Sequence, residues 1–333
     1  MKTDGDGPVE RRAFRADRGD GGGRLDHAIR RHLADHPGAS RARIRHWIAS
    51  GRVSVNGRVA AKPASRVSPG DRIEVDSDPP PARIVHEAEK LPLDIVFEDE
   101  HLLALNKPAG LIVHPSYGHR AGTLMNALLW RQRTSDTWTD MPRLLHRLDK
   151  HTSGLLLVSK NLHVHASLTR AMRAQHVDKD YLAIVHGRVP NDTGAIALKL
   201  GRDPLDRRRV VVSGTAARDS LTRFERLATS QGSRRGLSLL RCRLVTGRMH
   251  QIRAHLLAAG WPIVGDPIYG ATGRRAIADA ALARLVEAFP RQALHAWRLA
   301  LTHPVTGQSL ALTARPPDDF LALLSAAGLP LTR

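Results

Sequence analysis

The sequence predicts an α+β fold built on a mixed or antiparallel sheet, preceded by a small separate unit of two helices and a short sheet. Three observations carry this. At 333 residues the chain is too long for one ordinary core. A proline-rich stretch, "SDPPPARIVHEAEK" (Ser77 to Lys90), divides it. Beyond that stretch, strand-like runs dominate and helices intervene irregularly, which disfavours a doubly wound sheet. The expected divisions are a Gly- and Arg-rich disordered tail (1–23), a small unit (24–76), a stiff linker (77–90) and a large domain (91–325).

In the small unit, Leu25, Ala28, Ile29 and Leu33 follow helical spacing, and "HPG" ends that helix. Ser40 can cap a second helix with Ile44, Trp47 and Ile48 on one face. In "RVSVNGRV", Val53 and Val55 alternate with polar residues and Asn56-Gly57 marks a hairpin. "SPGDRIEVD" adds a turn and a further short strand.

The large domain opens with two strand-like runs around the acidic turn Glu98–Glu100. "GTLMNALLWRQ" reads as a helix capped near Thr123, "GLLLVSK" as a buried strand and "NLHVHASLTRAMRAQ" as an amphipathic helix. "KDYLAIVHGRV", "RRVVVSG", "SLTRFERLA", "LSLLRCRLV" and "SLALTA" read as strands. "RMHQIRAHLLAAG" and "RRAIADAALARLVEAF" are helical by period.

A formal charge of +19 points to a polyanionic partner, nucleic acid ahead of a membrane surface. Cys242 is the single cysteine, which excludes a disulfide framework and a thiolate metal cluster. The N-terminal segment lacks the apolar stretch of a signal peptide, and no segment is apolar enough to span a bilayer, so the expectation is a cytoplasmic protein. His250 and His255 are five residues apart, a poor spacing for a helical zinc pair, and no phosphate-cradling glycine motif is present. No metal and no cofactor is expected.

Two constellations remain. "HRLDKHTSG" (His146 to Gly154) sets Arg147 two residues before Asp149. "TGRMHQIRAH" packs Arg248, His250, Gln251, Arg253 and His255 into ten residues. Together with "NKPAGLIVHPS", "KDYLAIVHG", "PIVGDPIYG" and "LHAWRLALTHPVTG", in that order along the chain, these stretches resemble the RluA-type RNA pseudouridine synthases of bacteria. The resemblance covers about residues 91 to 320. Residues 24 to 75, with their "RLD" helix start, basic second helix and "VNG" turn, resemble the S4 (αL-type) RNA-binding domain.

The resemblance implies a pseudouridine synthase domain with a central cleft. In such a protein the bond from C1′ to N1 of a uridine breaks, the uracil turns, and its C5 joins the same C1′. Nothing is oxidised or hydrolysed, so one carboxylate suffices where a glycosidase needs two. The resemblance gives that role to Asp149, with Arg253 facing it, Tyr181 stacking on the base, Ile252 packing beside it and Arg147 filling the stack that the flipped base leaves. RNA contacts are expected from Arg41, Arg43, Arg45, Arg52 and Arg58 in the small unit. Lys107, Arg248 and His250 are expected to add contacts in the large one. Thr152 and Ser153 are expected to shape a turn. His151, Arg143 and Asp180 depart from the family pattern. Ribosomal RNA of the large subunit is the expected substrate, with tRNA the alternative. A non-catalytic RNA-binding or assembly factor and an RNA base glycosylase are the competing functions.

Overall fold

The computed structural model describes residues 10–36, 38–77, 87–115, 120–138, 140–206, 208–230, 236–270, 277 and 279–331. Contacts divide the chain after Val85.

The first unit contains β1 (Glu10–Arg15), a 3-10 turn (Arg18–Asp20), α1 (Leu25–His32), α2 (Arg41–Ala49), β2 (Val53–Val55), β3 (Arg58–Val59) and β4 (Arg72–Ser77). The strands form an antiparallel sheet in the order β1-β4-β2-β3. Leu25, Ile29, Ile44, Trp47, Ile48, Ile73 and Val75 are its core. Ser40 caps α2 by accepting from the Arg43 amide at 3.3 Å. Asn56 and Gly57 both take positive φ, 52° and 79°, as a tight hairpin of that sequence requires.

The expected disorder of residues 1–23 fails for residues 10–23; residues 1–9 lie outside the described part. β1 pairs with β4 from Glu10↔Ser77 to Arg15↔Arg72. The charges that suggest disorder are paired: Arg11 with Asp76 and Arg12 with Glu10 and Asp35. Phe14 stacks on His32 at 4.3 Å, and buried Asp20 accepts from Arg31. Most of the expected linker (78–86) falls outside the described residues, and its two ends belong to the folded units. Ser77 ends β4, and Glu87 and Glu89 bond to Asn126 and Gly122.

The second unit contains β5 (Ile95–Glu98), β6 (Leu102–Lys107), α3 (Leu124–Arg133), β7 (Arg143–Leu144), β8 (Ser153–Ser159), α4 (Leu162–Arg173), β9 (Asp178–His186), β10 (Thr193–Arg202), β11 (Val210–Val212), β12 (Thr215–Thr229), β13 (Leu237–Leu244), α5 (Gln251–Ala258), α6 (Ala280–Ala288), β14 (Leu294–Thr302), β15 (Ser309–Thr313) and α7 (Asp318–Ala326). Among the described residues these strands make one eleven-stranded sheet in the order β11-β10-β12-β13-β9-β14-β8-β6-β5, with β15 on β14 and β7 on β8. Among the described residues only the β14–β8 pair is parallel. The fold is therefore α+β with a mixed, mostly antiparallel sheet.

All seven residues of β8 are buried, which explains its unbroken apolar run. The domain continues past the expected end at residue 325, because Ala327 and Leu329 sit in the main core. The helix expected over residues 274–289 is shorter, Ala280–Ala288, with Asp279 accepting from the amides of Ala281 and Leu282; residues 274–276 and 278 lie outside the described part. No helix among the described residues is long and apolar enough to cross a membrane.

Candidate active site

β7 and β8 are joined by the loop that carries Arg147 and Asp149. Each residue after Asp149 is tied down. The Lys150 carbonyl accepts from Lys107 Nζ at 3.0 Å and from the Gly110 amide at 2.9 Å. The His151 carbonyl accepts from Arg291 Nη1 at 3.3 Å. Thr152 Oγ1 accepts from Gln292 Nε2 at 3.0 Å, and Ser153 Oγ lies 3.0 Å from His295 Nδ1. His295 Nε2 lies 3.1 Å from the Ala314 carbonyl, which can only accept, so Nε2 carries the proton and Ser153 donates to Nδ1. Burial keeps that ring neutral, with its pKa lowered to about 4. Gly154 has φ +113°, and a Cβ there would stand 2.2 Å from the Ala296 carbonyl oxygen. Thr152 and Ser153 thus fasten the loop to the β14 segment; their side chains do not close a local turn.

Lys107 does not face solvent. It is fully buried, and its ammonium donates to the carbonyls of Pro108, Leu111 and Lys150. Burial lowers its pKa to about 8, with Asp149 opposing. It is not available to RNA, contrary to the expectation from sequence: the "NKPAG" lysine pins the loop from behind.

The "TGRMHQIRAH" residues are split by the start of α5. Arg248 is exposed. Gln251 is spent structurally: its oxygen accepts from Thr246 Oγ1 and the Arg248 amide, and its amide donates to Leu221 and Thr222 on β12. His255 Nε2 bonds Ser220 at 2.8 Å, and burial lowers its pKa to about 4. Arg253, on the first turn of α5, points the other way. Its Nη1 donates to Asp149 Oδ2 at 2.9 Å, while Nε and Nη2 donate to the two oxygens of Asp266 at 2.7 Å each. Asp266 also accepts from the amides of Ile268 and Tyr269. The Tyr269 ring lies under the guanidinium, 5.0 Å from centroid to Cζ. Burial opposes the charge of Arg253, but Asp266 and Asp149 together raise its pKa above the ordinary value.

His250 takes a left-handed conformation (φ 53°) just before α5. Its Nε2 is 3.7 Å from Asp149 Oδ1, and its Nδ1 is 3.2 Å from the Tyr269 hydroxyl. Burial lowers its pKa, with Asp149 pulling the other way. His250 is thus a neighbour of the carboxylate, where the sequence suggested a contact to RNA. Asp266 and Tyr269 went unassigned in the sequence. Their "GDPIYG" stretch was the available signal, since a buried arginine on α5 needs a carboxylate.

Arg147, Asp149, Tyr181, Arg248, His250, Ile252 and Arg253 all line one cleft of about 490 Å³. Tyr181, on β9, is buried at its wall; burial first, and then the charge of Asp149, raise its phenol pKa above the usual range. Asp180, one of the departures from the family pattern, is buried on the other face of β9. It meets its cross-strand neighbour Arg243 through both oxygens. In the first unit Arg41, Arg45 and Arg58 are exposed, while Arg43 and Arg52 are half-buried. Arg45 lies 3.6 Å from Asp26.

Residues 101–258 match the RNA pseudouridylate synthase family, and residues 33–73 match the S4 domain. The chain is 42% identical to the ribosomal large subunit pseudouridine synthase D of Nitrosomonas europaea, over 91% of this chain and 84% of that protein. It is 38% identical to the uncharacterized RNA pseudouridine synthase YlyB of Bacillus subtilis, over 86% and 88%. Among solved structures it is similar to Human RNA Pseudouridylate Synthase Domain Containing 1, with TM-score 0.52 and 26% identity over 69% of this chain and 86% of that one. These likenesses, reached separately through sequence and backbone, agree with the geometry of the cleft: the chain belongs to the RNA pseudouridylate synthase family and carries an S4 domain ahead of the synthase domain.

Proposed function

We propose that this enzyme converts specific uridines of large-subunit ribosomal RNA to pseudouridine, with Asp149 as the carboxylate that acts at C1′. The observation that carries the reading is the way Arg253 is shared. Asp266 occupies one edge of the guanidinium, and Asp149 receives a single N–H through Oδ2. Oδ1 takes neither of these bonds and has His250 Nε2, another residue of the cleft, 3.7 Å away. Two carboxylates and one guanidinium leave the cluster one formal negative charge, placed where positive charge develops as the glycosidic bond breaks.

Tyr181 supplies the ring on which the uracil stacks. Its raised pKa keeps the phenol neutral, which favours stacking over a phenolate acting as base. Ile252 closes the apolar side of the base site. Arg147, exposed at the mouth of the cleft, stacks into the gap that the flipped base leaves. The exposed arginines of the S4 domain and Arg248 supply phosphate contacts. The names of the relatives favour ribosomal RNA of the large subunit over tRNA.

Joining C5 to C1′ expels the C5 proton and returns one proton to N1. Large-subunit RNA labelled with tritium at uridine C5 should therefore release tritium to water in step with pseudouridine formation, and no free uracil should appear. Free uracil would mark a glycosylase, and tritium retention would mark a binding protein.

A further inference from the structure

Lys179 stands between two aspartates, and both face away from it. Asp178 and Asp180 share one face of β9, where Arg243 is 3.3 Å from Asp178 and takes Asp180 at 2.7 and 3.0 Å. Lys179 shares the opposite face with Tyr181 and lines the same cleft. It is half-buried, and burial pulls its pKa below the ordinary lysine value. Among the described residues, no acceptor lies within hydrogen-bond distance of its ammonium.

Among the described residues, the two fully buried lysines behave differently. Lys107 has three carbonyls, and Lys160 has Glu98 at 2.8 Å and Thr137 at 3.1 Å. Where this fold keeps an ammonium for structure, it supplies the acceptors. Holding one partly out of water without them is costly unless a ligand brings an anion. Helix α4 adds Thr169, Met172 and Arg173, at i, i+3 and i+4, to the same cleft. His146 also lines it but brings no charge: its Nε2 accepts from the Leu157 amide, and burial, with the Lys179 charge, lowers its pKa to about 3.

We propose that Lys179, with Arg173, forms a phosphate subsite that holds a backbone phosphodiester next to the uridine whose base lies on Tyr181. The proposal rests on the function argued above. Two residues on one strand face are about 6.6 Å apart, a spacing suited to a base and its neighbouring phosphate. An ammonium, as a point charge, tolerates the varied approach of phosphate oxygens. With base, sugar and phosphate held at Tyr181, Asp149 and Lys179, the nucleotide is fixed at three points.

The test is Lys179→Met, assayed on large-subunit ribosomal RNA transcribed in vitro. KM should rise about tenfold with kcat changed less than about threefold, and the slope of log affinity against log salt should become shallower by about 0.7 to 0.9, one phosphate contact. Lys179→Arg should retain the slope. The urea midpoint of the free protein should rise, because an unpartnered cation has gone. A wild-type slope in Lys179→Met overturns the subsite whatever the midpoint does, and so does a loss confined to kcat. Short RNAs carrying a neutral methylphosphonate on the 5′ or the 3′ side of the modified uridine identify the phosphate: one of them should weaken the wild type and leave Lys179→Met unaffected. If both proteins respond equally to both linkages, the subsite is wrong. Absence of pseudouridine with the wild type would instead overturn the catalytic reading, while the slope comparison would still judge the subsite.

Discussion

Asp266 holds the Arg253 guanidinium through two bonds of 2.7 Å, in a pair that is almost wholly excluded from solvent. The orientation of Arg253 toward Asp149 is therefore set from behind, by a residue that does not line the cleft. Asp266→Asn should cost about 3 kcal/mol of stability, the lower end for a broken buried pair because Arg253 keeps one carboxylate. It should lower kcat roughly a hundredfold through misplacement of Asp149 while RNA affinity holds. Urea unfolding and single-turnover kinetics check both.

Lys107→Met should leave the salt dependence of RNA binding unchanged, because the ammonium is buried under the loop. Carbonyls orphaned at Pro108 and Leu111 should reduce stability by about 2 kcal/mol or more, while the Lys150 carbonyl keeps the Gly110 amide, and turnover should fall with the loosened loop. A shallower salt slope in a binding titration would return Lys107 to the RNA surface.

Gly154→Ala should destabilise the domain by roughly 3 kcal/mol or more, since positive φ and backbone overlap act together. The Cβ would meet both the oxygen and the nitrogen of Ala296, so no side chain can move to make room. A urea midpoint close to that of the wild type would contradict the parallel register of Ser153 and Gly154 on β14.

Stability should fall as pH drops from about 6.5 toward 4. His146, His255 and His295 have folded pKa values near 3, 4 and 4, below the unfolded value. Across that window the unfolded chain binds more protons, so the histidine contribution is full above the unfolded pKa and is lost as pH falls through the folded ones. A urea midpoint that stays flat between pH 6.5 and 4.5 would show that these rings are not held neutral.

Much of the cleft's lining could be read from sequence because it sits in contiguous stretches: Arg147 with Asp149, Tyr181 at a strand start, Arg253 on a helix. Asp266 was hidden because "GDP" also reads as an ordinary turn, and its partner is thirteen residues away on a helix whose facing could not be told from period alone. Lys107 was misread because a lysine next to proline and glycine suggests a surface loop. Only the folded chain brings three carbonyls around it. Strand β1 was missed because its arginines alternate with few apolar residues, and its pairing with β4 depends on carboxylates up to 65 positions away. β10 and α7 also went unread. β10 carries mostly alanine, glycine and scattered leucine, and α7 lies after a proline pair near the chain end.

The most direct test compares the wild type with Asp149→Asn on large-subunit ribosomal RNA, with pseudouridine measured by mass spectrometry and RNA affinity measured in parallel. The variant should bind RNA within about twofold of the wild type, since a single oxygen in the cleft is replaced, and should form no pseudouridine. Pseudouridine formation by Asp149→Asn at the wild-type rate would contradict the assignment of this carboxylate to the chemistry.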